Sequence, residues 1–245
     1  MTTQFDDFCA QLPFRRGKKE AAKRELIRLY QRAITDSVDV WGELRELLIP
    51  EDETTTKLEG SEITSKLRDY LATKQKYRCC YCQRYLYNIA YARPIEHILP
   101  RSDFPRFSLV MKNLAVACYD CNLKKSDAVW WRAINPAGAY PVESQLAAAF
   151  HCNHHAYNDH ISWMSYATND FAFSAYGGIT AAGKKLCLDL LHDVSKTDIL
   201  LSRNDGLREV LEDLKTMNEN GLDGDSVRTF VNELQEFILA STDAS

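Results

Sequence analysis

Two short cysteine motifs, CCYC at residues 79–82 and CYDC at residues 118–121, organise this sequence. In each motif two residues separate the paired cysteines, Cys79 from Cys82 and Cys118 from Cys121. Two such pairs in a reducing compartment are typical of one tetrahedral Zn2+ site rather than of a disulfide framework. A structural zinc site contributes on the order of 10 kcal/mol to folding. The remaining cysteines are predicted to be buried free thiols: Cys9, Cys80, Cys152 and Cys187.

Length and composition place the chain among globular proteins. It has 245 residues, of which 45% are hydrophobic and 26% are charged, so it can bury a core without disulfide support. No run of about 18 apolar residues is present, which excludes a spanning helix. The amino terminus, MTTQFDDFCAQLPF, has early acidic residues and lacks the apolar stretch of a secretory signal. We therefore expect a cytoplasmic protein without a membrane partner.

The charge is unevenly distributed. The net charge is −4, yet residues 15–32 carry eight basic and two acidic side chains, a local charge of +6. A basic segment of this kind can contact nucleic acid or an acidic protein surface. The alternative is a solvated helix face without a partner.

Hydrophobic periodicity predicts an α+β fold that is mainly α, in three regions. These are an N-terminal helical region at 1–76, the cysteine region at 77–127, and an aromatic and then helical region at 128–245. Helices are predicted at 20–34, 38–49, from a cap at Ser61, around Asn113 to Lys125, and near 185–191, 207–214 and 227–237. Thr180 and either Asp225 or Ser226 are predicted caps. The run from Tyr85 to Ile98 favours β-structure, residues 130–176 look irregular, and Gly177-Gly178 suggests a turn.

The segment between the cysteine pairs carries a further pattern. It contains IEHILP at 95–100 and Asn113-Leu114, and the second pair continues into Asn122 and Lys125. This order resembles the HNH family of nucleases, also called ββα-metal nucleases, over residues 77–127. The resemblance implies a zinc-bound ββα-metal module between the two helical regions.

The resemblance also implies roles for four side chains. His97 matches the general base, Glu96 and Asn122 match the ligands of a catalytic Mg2+ (or Mn2+) ion, and Asn113 matches the residue that braces the base loop. Two departures stand out, since many members have Asp in place of Glu96 and His in place of Asn122.

The chemistry agrees with these residue types. Phosphodiester hydrolysis requires an activated water and neutralisation of charge in the transition state. A histidine has an ordinary pKa of about 6.5, so a neutral imidazole can accept the proton of the water. Carboxylate and amide oxygens suit a hard divalent cation. Because neighbouring strand residues point to opposite faces, Glu96 and His97 can share a site only where the strand ends.

Each of these residues also has a purely structural interpretation. Glu96 could be a surface carboxylate, His97 a hydrogen-bonded structural histidine, and Asn122 a helix cap. Arg101 and Lys125 could contact phosphate or simply be solvated. Four cations beside the cysteine pairs could offset the thiolate charge or bind phosphate: Arg78, Arg84, Lys124 and Lys125.

A second histidine cluster lies at His151, His154 and His155, with His160 beyond it. Its spacing matches no zinc template. Aromatic neighbours favour a packed or nucleic-acid-facing surface instead.

A closer resemblance is to bacterial HNH subunits of Septu-type anti-phage systems, which also occur beside some retrons. It implies an endonuclease that works with an SMC-like or ABC-type ATPase, and in some cases with a retron reverse transcriptase and its RNA–DNA. DNA is the expected substrate, with structured RNA such as tRNA as the alternative. The competing hypothesis is a non-catalytic zinc module that binds nucleic acid or serves as an adaptor for the ATPase.

Overall fold

The computed structural model describes residues 3–51, 57–87, 93–167, 172–196, 205–220 and 223–242. Helix accounts for 53% of the structure, and the strands of the described residues form two-stranded antiparallel sheets. The prediction of a mainly α, α+β protein is therefore confirmed. Within the described ranges, no helix has the length and apolar character needed to cross a bilayer.

The chain forms two compact units. The first comprises residues 1–122 and 126–141, and the second comprises residues 123–125 and 142–245. The first unit joins the predicted N-terminal helical region to nearly all of the cysteine region. The boundaries at 76 and 127 therefore differ from the boundaries of these units.

Among its described residues, the first unit has four helices before the cysteine region, and the apolar face of the second helix agrees with the prediction. On α2 the side chains of Ala22, Leu26, Leu29 and Ala33 are all buried. The elements are α1 (Thr3–Gln11), α2 (Arg16–Asp36), α3 (Trp41–Glu46), β1 (Leu48–Ile49), β2 (Leu58–Glu59) and α4 (Gly60–Lys74).

Helix α4 begins one residue earlier than Ser61, so the prediction of a Ser61 cap is wrong. The N-cap is Glu59, whose side chain accepts a hydrogen bond from the backbone of Glu62. The Glu62 carboxylate in turn accepts the Glu59 N–H at 3.1 Å. This reciprocal capping box satisfies two amide groups of the first turn, which a lone serine cap would not do.

The cysteine region contains a strand, a second strand and a helix in that order. They are β3 (Ile95–His97), β4 (Leu114–Val116) and α5 (Tyr119–Lys125), with short 3-10 turns at Pro105–Phe107 and Met111–Asn113. β3 and β4 pair antiparallel, with Glu96 opposite Ala115 and His97 opposite Leu114.

Two predictions in this region need correction. The helix predicted from Asn113 is wrong in its first half, because Leu114 to Val116 form a strand that is buried at every residue. Of the β-prone run from Tyr85 to Ile98, β3 covers only three residues, and residues 88–92 lie outside the described ranges.

The second unit contains a β-hairpin that was not predicted, within the stretch expected to be irregular. Its elements are α6 (Glu143–Leu146), α7 (Tyr157–His160), β5 (Ile161–Ala167), β6 (Ala172–Gly178), α8 (Ala181–Leu186), α9 (Asp205–Glu219) and α10 (Gly224–Thr242). A π-helical segment (Cys187–Leu191) extends α8, and α-helix continues to residue 196. Its core includes Met164 and Phe173 from the hairpin, and Leu214, Val227 and Val231 from the last two helices.

The glycine pair at 177–178 ends β6 instead of forming a turn, so that prediction is wrong. A Cβ atom on Gly177 would lie 2.0 Å from Cγ1 of Val227, and one on Gly178 would lie 2.3 Å from the backbone N of Lys184. Both glycines are therefore needed for the close approach of helices to the strand.

The helical patterns of the second unit agree with its helices, although one cap differs. Thr180 caps α8 as predicted, since its Oγ1 accepts the Gly183 N–H at 3.2 Å. The last helix is capped by Asp223, whose Oδ1 accepts the Ser226 N–H at 2.8 Å, and not by Asp225 or Ser226. The side chains of 207–211 and 235–237 lie outside the described residues.

Candidate metal centre and nuclease site

The four paired cysteines converge on one point. The Sγ atoms of Cys79, Cys82, Cys118 and Cys121 lie within 4.8 Å of one another, and each residue is at most 3% exposed. The Cys82 and Cys118 sulfurs are 3.7 Å apart. A tetrahedral Zn2+ ion with Zn–S bonds of about 2.3 Å requires sulfurs about 3.8 Å apart. The donor set and its dimensions therefore fit a structural metal ion such as Zn2+.

Each cysteine pair owes its position to local backbone geometry. In the first pair the Cys79 N–H donates to the Arg84 carbonyl at 2.9 Å, and the Gln83 N–H donates to the Cys79 carbonyl at 3.2 Å. Gln83 has φ 59°, a left-handed conformation that reverses the chain directly after Cys82. The Gln83 side chain stabilises this turn by a second bond to the Cys79 carbonyl, at 3.1 Å.

The second cysteine pair forms the first turn of α5. Cys118 is the N-cap, and its Sγ accepts the Cys121 N–H at 3.4 Å. The Cys118 N–H donates to Cys79 Sγ at 3.2 Å, which links the two pairs directly. Backbone N–H groups thus offset part of the charge that four thiolates would carry.

The thiols affect one another electrostatically. Hydrogen bonding to the Cys118 side chain raises the pKa of the Cys82 and Cys121 thiols above the ordinary cysteine value. A divalent cation at the centre would act in the opposite direction, because it stabilises thiolates. Metal affinity at this site should therefore fall as the pH is lowered.

The cations beside the cysteines contact other groups. Arg84 pairs with Asp120 at 2.7 Å, and Lys124 pairs with Asp193 at 3.4 Å. Arg78 lies over the Tyr85 ring at 3.9 Å and donates to its hydroxyl at 2.7 Å. Lys125 is only 3% exposed, so the interpretation of this residue as a solvated cation is wrong.

Glu96 is not a surface carboxylate, since it is 3% exposed. Its Oε1 accepts a hydrogen bond from the Tyr81 hydroxyl at 3.1 Å. Tyr81 is fully buried and lies between Cys80 and Cys82. The turn that carries the first thiol pair therefore also holds the carboxylate. Sequence reasoning missed Tyr81, although its position inside a C-x2-C motif marks it as part of the folded turn.

His97 is the last residue of β3 and is half-buried. Its Nε2 lies 3.0 Å from the carbonyl oxygen of Ser108. A carbonyl only accepts, so this bond assigns the proton of the neutral imidazole to Nε2 and the basic lone pair to Nδ1. The imidazole also meets the Trp41 ring edge-on, with centroids 4.7 Å apart and planes at 83°.

Asn113 is fully buried, and its amide holds the loop that follows β3. Its Oδ1 accepts the Leu99 N–H at 2.8 Å, and its Nδ2 donates to the carbonyls of Leu99 at 3.1 Å and Phe107 at 3.2 Å. The Tyr140 hydroxyl adds a longer bond to Oδ1 at 3.4 Å. The side chain thus braces the loop 98–107, while a catalytic contribution of Asn113 stays a prediction.

The predicted site residues meet different neighbours. Glu96 contacts Tyr81, whereas the adjacent His97 contacts Trp41 and Ser108, as alternation along a strand requires. Asn122 is half-buried in the first turn of α5, next to Cys121. Whether Glu96, His97 and Asn122 share one ion and one substrate stays a prediction. Arg101 pairs with Asp39 at 2.5 Å and stays partly exposed, so the choice between phosphate contact and solvation stays open for this residue.

Ion pairs engage part of the basic segment 15–32, which α2 contains almost entirely. Arg28 bonds Glu25 and Glu43, each at 2.8 Å, and Lys18 bonds Glu62 at 2.7 Å. Other cations of the segment lie at exposed positions of the first unit: Arg15, Arg16, Lys23 and Arg24.

The second histidine cluster is packed. The His155 and His160 rings stack with centroids 4.6 Å apart, and burial lowers the pKa of both. The His151 N–H donates to Nδ1 of His155 at 3.1 Å. Among the described residues, the four paired cysteines are the one group of His, Cys, Asp or Glu side chains with metal-binding spacing.

The four thiols and the strand–strand–helix order around them are the features on which a family assignment would rest. Compared with protein-family models, curated proteins and solved structures, the chain matches none of them. Membership of the HNH family therefore stays a prediction from residues 77–127. What the structure adds is a buried four-thiol centre, with Glu96 linked to it through Tyr81 and Asn122 adjacent to Cys121 in sequence.

Proposed function

We propose that this protein is a metal-dependent endonuclease of the HNH type, which hydrolyses phosphodiester bonds of nucleic acid with His97 as general base. The observation that carries the proposal is the fixed imidazole at the end of β3. Its Nε2 is engaged by the Ser108 carbonyl, and its ring is confined by Trp41. A general base needs a defined basic nitrogen in a fixed orientation, and this arrangement favours Nδ1 in that role.

In the proposed reaction, Nδ1 of His97 accepts a proton from the attacking water. The water oxygen forms a bond to phosphorus, the bond from phosphorus to the leaving oxygen breaks, and that oxygen takes a proton from solvent. A neutral imidazole can perform this step near pH 7. The Nε2–H bond to Ser108 would stabilise the imidazolium that forms, because a charged donor makes a stronger hydrogen bond.

Glu96 and Asn122 would hold a catalytic Mg2+ or Mn2+ ion. Their carboxylate and amide oxygens are the donors such ions prefer, and Mg2+ sites commonly combine one or two protein ligands with water and substrate phosphate. The bond from Tyr81 to Oε1 is compatible with coordination, because each carboxylate oxygen has two lone pairs. When bound, the ion would neutralise charge on the phosphate in the transition state.

The biological setting is the part of the proposal that only the resemblance supports. It makes the protein the nuclease effector of a prokaryotic anti-phage system, paired with an SMC-like or ABC-type ATPase and in some systems with a retron. DNA is the proposed substrate, and structured RNA such as tRNA is the alternative.

The test incubates purified protein with supercoiled plasmid, single-stranded DNA and total RNA, in Mg2+, in Mn2+ or in EDTA, with and without the ATPase. We expect cleavage that requires the metal. We expect His97→Ala to lower it by at least about 100-fold, since loss of a general base typically costs 10²–10⁴-fold. His155→Ala is the matched control, because His155 is also a half-buried histidine but belongs to the second unit, whereas His97 belongs to the first. Bound zinc and circular dichroism should stay unchanged in both variants. Wild-type cleavage by His97→Ala would refute the catalytic role.

A second candidate function is a non-catalytic zinc module that binds nucleic acid or links it to the ATPase. The favouring observation is that Glu96 is 3% exposed and hydrogen-bonded to Tyr81, as a structural carboxylate would be. This function predicts nucleic-acid binding that is independent of Mg2+ and no cleavage of any substrate. The incubations above therefore distinguish the two functions.

A further inference from the structure

We propose that residues 39–41, which we call the 39–41 brace, are positioning residues for the His97 imidazole. The brace leads into α3 and lies outside the segment that resembles HNH nucleases. Its three consecutive residues each contact the stretch 97–108, which carries His97 and the loop behind it. The catalytic part of this inference rests on the proposed function, whereas its structural part stands on the contacts alone.

Trp41 acts on the imidazole directly. The indole is 8% exposed and meets the His97 ring edge-on, at a centroid distance of 4.7 Å. A buried indole at this distance restricts rotation of the imidazole about its χ2 angle, because the two rings are in van der Waals contact. The side chain thus opposes the ring flip that would exchange Nδ1 and Nε2.

Val40 acts through the residue that holds Nε2. The Val40 N–H donates to Oγ of Ser108 at 3.2 Å, and both residues are fully buried. The carbonyl of the same Ser108 is the partner of His97 Nε2 at 3.0 Å. The brace therefore fixes the acceptor as well as the ring.

Asp39 connects the backbone of Trp41 to the side chain of Arg101 through its two carboxylate oxygens. Its Oδ1 accepts the Trp41 N–H at 2.9 Å, and its Oδ2 accepts from Nη1 of Arg101 at 2.5 Å. Arg101 follows Pro100, four residues beyond His97. The ion pair thus ties the chain after β3 to the backbone that carries Trp41. Apolar packing of α3 alone would not require this polar contact.

The contacts of Asp39, Val40 and Trp41 have one combined consequence for His97. Together with the Ser108 carbonyl, they select the Nε2–H tautomer and hold Nδ1 in one orientation. Without them the imidazole can rotate, so the basic nitrogen points toward the substrate for only part of the time. Small misplacements of a catalytic group cost up to about 100-fold in rate. We expect Trp41→Ala to lower kcat 10- to 100-fold with little change in KM, and Trp41→Phe to restore most of it.

The deciding experiment reads the tautomer without reference to activity. Long-range 1H–15N NMR spectra of protein labelled at histidine nitrogens distinguish Nε2–H from Nδ1–H, and His97→Ala assigns the His97 signals. We expect a single Nε2–H tautomer for His97 in the wild type and in Trp41→Phe. We expect mixed tautomers in Trp41→Ala, and a smaller change in the same direction in Asp39→Asn, which weakens the contact with Arg101. Trp163→Ala, which removes a tryptophan of the second unit, should leave the His97 signals unchanged.

The outcomes separate this inference from the proposed function. An unchanged Nε2–H signal in both Trp41→Ala and Asp39→Asn would overturn the brace, whatever the nuclease activity. If the tautomer shifts as expected but His97→Ala still cleaves like the wild type, the brace stands and the proposed function fails. Should Trp41→Ala not fold, Asp39→Asn and Arg101→Met give the same decision, because both change exposed groups of one ion pair and keep the core intact.

Discussion

Replacement of Asn113 by alanine should be among the most damaging single changes in the first unit. The side chain makes three bonds of 2.8 to 3.2 Å to the backbone of Leu99 and Phe107, and Asn113, Leu99 and Phe107 are all fully buried. Loss of the amide leaves the Leu99 N–H and two carbonyls without these partners. At about 1 kcal/mol for each bond, the free energy of unfolding should fall by about 3 kcal/mol. The unfolding equilibrium constant should then rise about 150-fold.

Urea denaturation followed by tryptophan fluorescence can measure this effect. Three of the four tryptophans, Trp41, Trp130 and Trp131, belong to the first unit, so the signal reports mainly on that unit. With a slope of about 2 kcal/mol per molar urea, the midpoint should shift by about 1.5 M. The matched control is Asn158→Ala, which changes an exposed asparagine and should move the midpoint little. A loss below about 1 kcal/mol for Asn113→Ala would refute the view that this amide braces the loop 98–107.

Three further predictions concern other parts of the molecule. The purified protein should contain one zinc ion per molecule by elemental analysis. Cys82→Ser should lose the metal and have a lower melting temperature, whereas the control Cys152→Ser should keep both at the wild-type level. Equal zinc content in the two variants would exclude the four-thiol site. Tyr81→Phe should destabilise the protein by about 1 to 2 kcal/mol in urea, because it removes the bond to the buried carboxylate of Glu96, and an unchanged midpoint would contradict that contact. Burial lowers the pKa of His192 to about 4, below the ordinary value of 6.5, so the unfolded chain binds the proton more readily between these values. The contribution of neutral His192 to stability is therefore fully present above about pH 6.5. The free energy of unfolding falls by up to about 3 kcal/mol as the pH drops to about 4. In His192→Gln the free energy of unfolding should depend less on pH over the same range. If the pH dependence is the same in the variant and the wild type, His192 is not its cause.

The four-thiol centre could be predicted from the sequence because its geometry is local. A C-x2-C pair brings two sulfurs close through one turn, so only the meeting of the two turns depends on the tertiary fold. The spacing of apolar residues likewise predicted the buried face of α2, since helical periodicity is set within a few residues. Such patterns require no knowledge of what lies opposite.

The contacts of the candidate site could not be predicted in the same way. The ring that packs against His97 is that of Trp41, which lies 56 residues earlier in the chain. From the sequence alone, Trp41 is only one of several apolar residues in a short predicted helix. The strand β4 was missed because Leu114, Ala115 and Val116 form a short apolar run, which fits a buried helix as well as a buried strand. Gly177 and Gly178 resembled a turn, since nothing in the local sequence shows that Val227 and the backbone at Lys184 approach them. In each case the deciding neighbour is distant in the chain.

The two sides of the candidate site have physically separate supports. On one side the four-thiol centre fixes Glu96 through Tyr81, and it fixes Asn122 because this residue follows Cys121 in the first turn of α5. On the other side the 39–41 brace and Ser108 fix His97. A metal ion that orders the thiols therefore acts first on the proposed ligands of the catalytic ion and only indirectly on the proposed base. If His97 is the base, residues 39–41 belong to the proposed site although they lie outside residues 77–127, because without the brace the imidazole would keep its place in the sequence but lose its orientation.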